Sequence, residues 1–240
     1  MATTPDYESV RRIGLLLPSS NTLIEPECNA LAPSALSLHV ARLPMTTLDE
    51  DGLRAQQAAI SAQTRLLADA RVEAVLFCQT SASFHLGIPW NRELRLRIHS
   101  AAQCPALIAA ETVTDALHKL DVRTVSVASP FPAPVLTSTM EYLRSSGFTV
   151  VHAEGLGVTD NFEIARISES DVRALVQRAN VLDCDAVLVP GGNMPCTAFI
   201  SSLEDALGKP VVTTNQAALW AIREHLSLDW TPTTLGSLFS

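Results

Sequence analysis

The chain has 240 residues, of which 47% are hydrophobic and 18% are charged, and its formal net charge is −8. This length and composition are typical of a compact protein with a sizeable core, and they exclude a disordered chain. The negative charge argues against a nucleic-acid partner. It does not exclude an anionic substrate, because backbone N–H groups can bind a carboxylate inside an acidic protein.

The five cysteines have irregular spacing and form neither a disulfide framework nor a CxxC metal motif, and the six histidines show no metal-ligand spacing. Residues 1–12 are polar and lack the apolar core of a signal peptide. No apolar stretch approaches the roughly 20 residues that a membrane helix needs. We therefore expect a cytoplasmic protein with no metal and no membrane partner.

Apolar runs alternate with amphipathic segments along the chain. In the first part, the pattern predicts strands at 13–17, 37–43, 74–77 and 106–109, helices from 22 and at 49–70, 90–102 and 112–120, and a loop through Gly87 and Pro89. In the second part, it predicts strands at 123–128, 149–153, 186–189 and 211–213 and helices at 135–145, 170–179, 199–207 and 216–226. Strands that alternate with helices predict an α/β fold with parallel sheets.

The second part of the chain repeats the first. Ile13 and Val125 are 112 positions apart, and so are Ala74 and Ala186, so two strands of each part superpose without a gap. The repeat predicts two Rossmann-like parallel-sheet halves related by a pseudo-twofold axis, with the active site in the cleft between them. A single doubly wound sheet is the alternative.

The corresponding domain prediction places one α/β half at 1–120 and the other at 121–240. The segment 217–240 is a candidate to pack back on the first half.

Cys78 is the strongest candidate for a reactive group. It ends the apolar run at 74–77, and open α/β sheets place their functional groups at the carboxyl ends of strands. A buried cysteine that serves only as a small apolar residue is the alternative. Polar and glycine turns at the other predicted strand ends suit a carboxylate. The candidate substrate-binding residues in these turns are Ser20, Asn21, Thr80, Ser81, Gly191, Gly192 and Asn193.

The motifs Pro18-Ser19-Ser20-Asn21-Thr22, Cys78, Asp160-Asn161 and Gly192-Asn193-Met194-Pro195 occur in this order. With these motifs the chain resembles the maleate cis-trans isomerase and arylmalonate decarboxylase branch of the Asp/Glu racemase superfamily. The resemblance implies two Rossmann-like halves, a buried site between them, and no metal or organic cofactor. It also implies a homo-oligomer.

The resemblance assigns roles to individual residues. Cys78 matches the cysteine that the first half contributes in the isomerases and racemases. Ser20 and Asn21 match a carboxylate-binding turn, and Asn161 matches an asparagine that contacts substrate in the isomerases. Phe131 stands where the family usually has a tyrosine, so a hydroxyl donor is lost there.

The largest departure from the family is the missing cysteine of the second half. The internal repeat aligns that position with Pro190, whereas the motif Met194-Pro195 aligns it with Gly191. Neither residue carries a thiol. Cys196, a few residues further along the chain, is a second catalytic candidate near a predicted helix start, and a structural role is its alternative.

These observations predict a cofactor-independent cis–trans isomerase of a small maleate-like dicarboxylate that uses the Cys78 thiolate. One alternative is a decarboxylase of substituted malonates in which Cys78 protonates the intermediate from one side. Another is a non-catalytic carboxylate-binding module, and a thiol-reactive probe is expected to distinguish it. A racemase is disfavoured, because two-base chemistry requires an acid on each face of the substrate.

Overall fold

The computed structural model of the protein describes residues 9–45 and 50–240, so residue 49 of the helix predicted at 49–70 lies outside the described residues. The first sheet has four parallel strands in the order β2-β1-β3-β4. The elements of this half are β1 (Arg11–Pro18), α1 (Ile24–Leu31), β2 (Leu36–Leu43), α2 (Glu50–Asp69), β3 (Ala74–Phe77), α3 (Thr80–Ala102), β4 (Ala106–Ile108) and α4 (Ala109–Lys119).

The second sheet also has four parallel strands, in the equivalent order β6-β5-β7-β8. Its elements are β5 (Thr124–Ser129), α5 (Ala133–Ser145), β6 (Thr149–Gly155), α6 (Asn161–Ile164), α7 (Glu169–Ala179), β7 (Ala186–Val189), α8 (Ile200–Leu207), β8 (Val211–Thr213) and α9 (Thr214–Leu226). The α/β class with two parallel sheets is confirmed, and the single doubly wound sheet is wrong.

Strand registers reproduce the sequence repeat. Ile13 pairs with Ala74 between β1 and β3, and Val125 pairs with Ala186 between β5 and β7. Because a register slip of one residue would turn every side chain to the opposite face, equal registers place equivalent side chains on equivalent faces in both sheets. The two halves are therefore repeats in backbone pairing as well as in sequence.

The two prolines before the last strand of each half also occupy equivalent positions. The Val75 N–H donates to the Pro105 carbonyl oxygen at 3.0 Å, and the Val187 N–H donates to the Pro210 carbonyl oxygen at 3.0 Å. A proline has no N–H but keeps its carbonyl, so it can begin an edge strand without breaking the ladder.

The interruption predicted at Gly87 and Pro89 is present, but it is a break at one residue and not a longer loop. Helix α3 begins at Thr80 and consists of two helical segments that meet in a kink at Gly87, where the backbone is non-helical with φ of +81°. Pro89 has no N–H group, which suits the first turn of the second segment. Because α3 begins at Thr80, Thr80 and Ser81 lie in the first turn of a helix, and not in a loop.

Contacts between the two halves come mainly from helices. Helix α3 packs on α5, and α9 packs on both α4 and α1. Arg11 Nη1 donates to the carbonyl oxygen of Leu226 at 3.1 Å, which joins the end of α9 to the start of β1. This contact supports our prediction that 217–240 packs back on the first half. The domain boundary after residue 120 stays a prediction.

Two further features concern the chain as a whole. Within the described ranges, no helix is long and apolar enough to cross a membrane. No group of three or more histidine, cysteine, aspartate or glutamate side chains in those ranges could hold a metal ion.

Candidate active site

A small cavity lies where β1, β3 and β7 end, and both halves contribute to its wall. Its volume is about 20 Å³, measured as the space open to the centre of a water molecule, which is enough for about one water. The residues that line it are Pro18, Asn21, Met45, Cys78, Gln79, Thr80, Ser81, Phe131, Asn161, Ile164, Gly191, Gly192 and Asn193.

Cys78 follows the last residue of β3 and is held by the neighbouring strand. Its N–H donates to the Leu16 carbonyl oxygen at 2.9 Å, and the residue is only 4% exposed. Burial raises the pKa of the Cys78 thiol well above its ordinary value, and the like charge of the Cys28 thiolate raises it further. At neutral pH the thiol is therefore protonated, which makes it a proton donor before it is a nucleophile.

The start of α3 adds hydrogen-bond donors next to this thiol. Thr80 and Ser81 are buried, and both line the cavity. The first N–H groups of a helix have no partner within the helix, and the helix dipole favours negative charge at this end. An oxyanion bound beside Cys78 would meet two hydroxyls and these N–H groups.

Asn21 presents an amide to the cavity from the first half. Its Oδ1 accepts from the N–H groups of Leu23 and Ile24, at 3.1 and 3.0 Å, where helix α1 begins. Its Nδ2 forms no hydrogen bond with any residue that the structure describes. Because the oxygen is engaged, the free end of the side chain is a donor, as a carboxylate ligand requires.

Two other asparagines join the halves. Asn193 Oδ1 accepts from the N–H groups of Thr22 and Leu23, at 2.9 and 3.2 Å, while its Nδ2 donates to the carbonyl oxygen of Asn161. Asn161 Nδ2 in turn donates to Ser20 Oγ at 2.9 Å. The oxygen and the nitrogen of the Asn193 amide thus both form hydrogen bonds with the protein, which fits a structural role in joining the two halves.

The second half meets the cavity with a glycine turn. Pro190 directly follows β7 as Cys78 follows β3, so the strands make these two residues equivalent. Gly191 has φ of +108°, and a Cβ there would lie 3.0 Å from Pro130 Cγ and 3.3 Å from Phe131 Cζ. A side chain at Gly191 would therefore be strained by its backbone and crowded by the wall.

Cys196 does not line the cavity. It is 1% exposed at the start of a short 3₁₀ turn, and burial followed by the nearby Glu27 carboxylate raises its pKa. Glu27 itself bridges the halves, because its Oε2 accepts from Thr197 Oγ1 at 2.6 Å and from Asn215 Nδ2 at 2.7 Å. Burial raises the pKa of Glu27, and these two hydrogen bonds oppose that shift. This surrounding favours the structural alternative for Cys196.

The cavity brings together most of the residues predicted from the sequence, and it leaves out Ser20 and Cys196. Ser20 is joined to the cavity lining by the hydrogen bond that its Oγ accepts from Asn161 Nδ2. The sequence analysis missed Pro18, Met45, Gln79 and Ile164 as lining residues. Gln79 could have been found, since it sits between Cys78 and Thr80, whereas Met45 follows a strand with no polar motif to mark it.

Several known proteins are similar to this chain over almost its whole length. Maleate isomerase of Pseudomonas putida is 26% identical over 95% of this chain and 97% of its own. Maleate isomerase of Nocardia farcinica is 29% identical over 91% of each chain. The structure of a mutant Nocardia farcinica maleate cis-trans isomerase with a covalently bound succinylcysteine intermediate superposes with a TM-score of 0.91 and 28% identity, covering 96% of this chain and 98% of that one. The model of the arylmalonate decarboxylase family matches residues 13–239, and the chain belongs to that family.

Proposed function

We propose that the protein is a cofactor-independent cis–trans isomerase of a small maleate-like dicarboxylate, with Cys78 as its catalytic residue. The observation that carries the proposal is the position of the Cys78 thiol, at a strand end in a small cavity beside donors for an oxyanion. The covalent succinylcysteine of the Nocardia farcinica relative supports a thiol adduct as the intermediate.

The proposed reaction needs one thiol. Cys78 Sγ forms a bond to one alkene carbon, the π electrons move to the other carbon, and the thiol proton ends on that carbon. In the resulting succinyl thioether the former double bond between the two carbons is a single bond, and the two carboxylate groups rotate about it. Loss of the proton and cleavage of the C–S bond then return the thiol and release the trans isomer, so atoms and electrons balance without a co-reactant.

The charge that develops during addition resides partly on a carboxylate oxygen, as in an enolate. Donors placed where this charge develops lower the barrier, and mutational losses for one such donor are typically about 10²–10³ in rate. We assign this role to Thr80, Ser81 and the N–H groups at the start of α3. Asn21 and Asn161 are assigned to the other carboxylate.

Replacement of Cys78 by serine tests the proposal. We expect Cys78→Ser to abolish conversion of maleate to fumarate, followed by proton NMR, and Cys196→Ser to retain it. Mass spectrometry of the digested wild-type protein after incubation with maleate should show an adduct at the peptide that contains Cys78. Unchanged turnover in Cys78→Ser, or no turnover of maleate by the wild type, would refute the proposal.

A decarboxylase of substituted malonates is the second candidate, and the match of residues 13–239 to the arylmalonate decarboxylase family model supports it. A protonated thiol can deliver a proton to one face of the enediolate left after carbon dioxide departs. Phenylmalonate in deuterium oxide tests this reaction. Deuterium on the α-carbon in one enantiomer only, lost in Cys78→Ser, would support the decarboxylase.

A carboxylate-binding module without catalysis is the remaining alternative. Thiol reactivity alone does not distinguish it, because burial keeps the Cys78 thiol protonated in an enzyme and in a binding module alike. Binding of maleate without turnover of maleate or phenylmalonate would identify the module. The homo-oligomer implied by the resemblance stays a prediction, which light scattering would measure.

A further inference from the structure

Two buried glutamine side chains converge on Met45 at the edge of the cavity. Gln79 is 4% exposed and Gln56 is 0% exposed. The Nε2 atoms of Gln79 and Gln56 lie 2.7 and 3.8 Å from Met45 Sδ. The Oε1 atom of each glutamine is buried and has no hydrogen-bond partner among the described residues.

The hydrogen-bonding capacity of these amides is almost unused. A thioether sulfur is a weak acceptor, so it satisfies the two Nε2 groups poorly. The one further partner within the described ranges is Ser81 Oγ, 3.5 Å from Gln79 Nε2. Buried polar side chains in native proteins are nearly always paired, and an unpaired one at a cavity calls for an explanation. Gln79 lines the cavity, so a ligand can supply the missing partners.

The chemistry of the wall indicates which ligand group fits. A carboxylate only accepts hydrogen bonds, so it would leave the Gln79 and Gln56 oxygens unpaired or facing a negative oxygen. A carboxamide has an NH₂ group for these oxygens and an oxygen for the Nε2 and Ser81 donors. None of the described residues that line the cavity carries a charged side chain. A second negative charge on the ligand would therefore have no counter-ion in the wall.

Met45 lies between Gln79, which lines the cavity, and Gln56, which does not. Its backbone is fixed on both sides by Ser19, since Ser19 Oγ accepts from the Met45 N–H at 3.0 Å and donates to the Met45 carbonyl oxygen at 3.2 Å. Its unbranched side chain has three rotatable bonds and adapts readily. Rotation of that side chain would join the cavity to the two amides without moving the backbone.

We infer that Gln79, Gln56 and Met45 form a head-group subsite for a neutral carboxamide. The protein then acts on the half-amide of a cis-unsaturated dicarboxylic acid in preference to the dicarboxylate. The choice of an unsaturated acid rests on the proposed function, whereas the carboxamide subsite is a statement about binding alone. Gln79 contacts the ligand and determines specificity.

Saturated analogues separate binding from chemistry, because they cannot undergo addition. We expect calorimetry with the wild-type protein to show succinamate binding at least about tenfold more tightly than succinate, as expected for one good hydrogen-bonded pair. Gln79→Leu and Gln56→Leu should each remove most of that preference and leave succinate affinity within about twofold. Gln57→Leu, the same change one residue along α2 at a residue that lines a separate pocket with His85 and Leu86, should leave the preference intact.

Each outcome has a distinct meaning. Equal affinities, tighter succinate binding, or a preference that survives both Gln79→Leu and Gln56→Leu would overturn the subsite. Circular dichroism and thermal melting identify a variant that fails to fold. If Gln56→Leu fails to fold, Gln56→Met replaces it. If succinamate is preferred but neither maleamate nor maleate is isomerised, the subsite stands and the proposed isomerase fails. If maleate is isomerised and succinamate is not preferred, the proposed isomerase stands and the carboxamide subsite fails.

Discussion

Removal of the Asn193 side chain tests whether its amide holds the two halves together. In Asn193→Ala the Thr22 N–H group and the Asn161 carbonyl oxygen lose the Asn193 amide as partner, whereas the Leu23 N–H group keeps Asn21 Oδ1 as its acceptor. A protein hydrogen bond contributes about 1 kcal/mol net, and a group left buried without a partner costs about 1–3 kcal/mol. Thr22 is exposed, so water can replace the bond that its N–H group loses. We expect the free energy of unfolding to fall by about 1–3 kcal/mol.

Equilibrium unfolding in urea measures this loss, read as a lower midpoint at unchanged slope. Asn29→Ala is the matched control, since Asn29 is an exposed asparagine whose amide contacts only the Glu25 carbonyl oxygen among the described residues. Its expected effect is within about 0.5 kcal/mol. A loss below about 1 kcal/mol for Asn193→Ala would refute the structural role of the Asn193 amide. Unchanged stability with a raised KM would instead make Asn193 a substrate-binding residue, as the sequence predicted.

Three further predictions concern charge, the C-terminal segment and the glycine turn. Burial raises the pKa of Glu27 above its ordinary value of 4.5, so ionisation of this carboxyl group lowers the stability of the wild type as the pH rises through the folded-state pKa. The variant Glu27→Gln cannot ionise there, so its stability relative to the wild type should increase from pH 4 to pH 7, as measured by urea unfolding at these two pH values. The Glu204 carboxylate accepts three hydrogen bonds from the C-terminal segment and β8. The free energy of unfolding of Glu204→Ala should therefore be about 2–3 kcal/mol lower in the same assay. Glu93 is exposed, so Glu93→Ala should lower it by less than about 0.5 kcal/mol. Gly191→Ala should lose more than Gly147→Ala by about 1–3 kcal/mol, because both have positive φ but only Gly191 is crowded, and equal losses would contradict that crowding.

The strands and the repeat could be predicted from sequence because their signals are local. Buried parallel strands are short apolar runs, and such runs recur at a constant offset of 112 positions for Ile13 and Ala74. The start of α3 could not be predicted in the same way. Gly87 and Pro89 indicate the kink inside α3, whereas the helical segment before the kink, from Thr80, forms where α3 packs on α5 and α2.

The position of the site was predictable, but the orientation of its polar groups was not. A residue after a buried strand must lie at the sheet edge, which places Cys78. Whether an amide faces a ligand or the protein depends on contacts far apart in the chain. Asn193 meets Thr22 across 171 positions, and no local pattern contains that pairing. The place of Gln79 at the cavity could have been predicted from its neighbours Cys78 and Thr80, but its convergence with Gln56 on Met45 joins residues 23 and 34 positions apart and has no local pattern.

Cys78 contributes the one thiol among the described residues that line the cavity, and this constrains the proposed chemistry further. Pro190, the equivalent of Cys78, has no N–H to donate to its neighbouring strand as Cys78 does, and the next residue has a backbone suited to glycine. A cysteine at Gly191 would place a Cβ 3.0 Å from Pro130 Cγ on a backbone with φ of +108°, so a second thiol at this position would be strained and would require Pro130 to shift. Racemisation requires an acid on each face, whereas addition and elimination can use one thiol that carries its own proton. The asymmetry between the halves therefore favours reactions in which a single proton leaves Cys78 and returns to it, or is delivered to one face only.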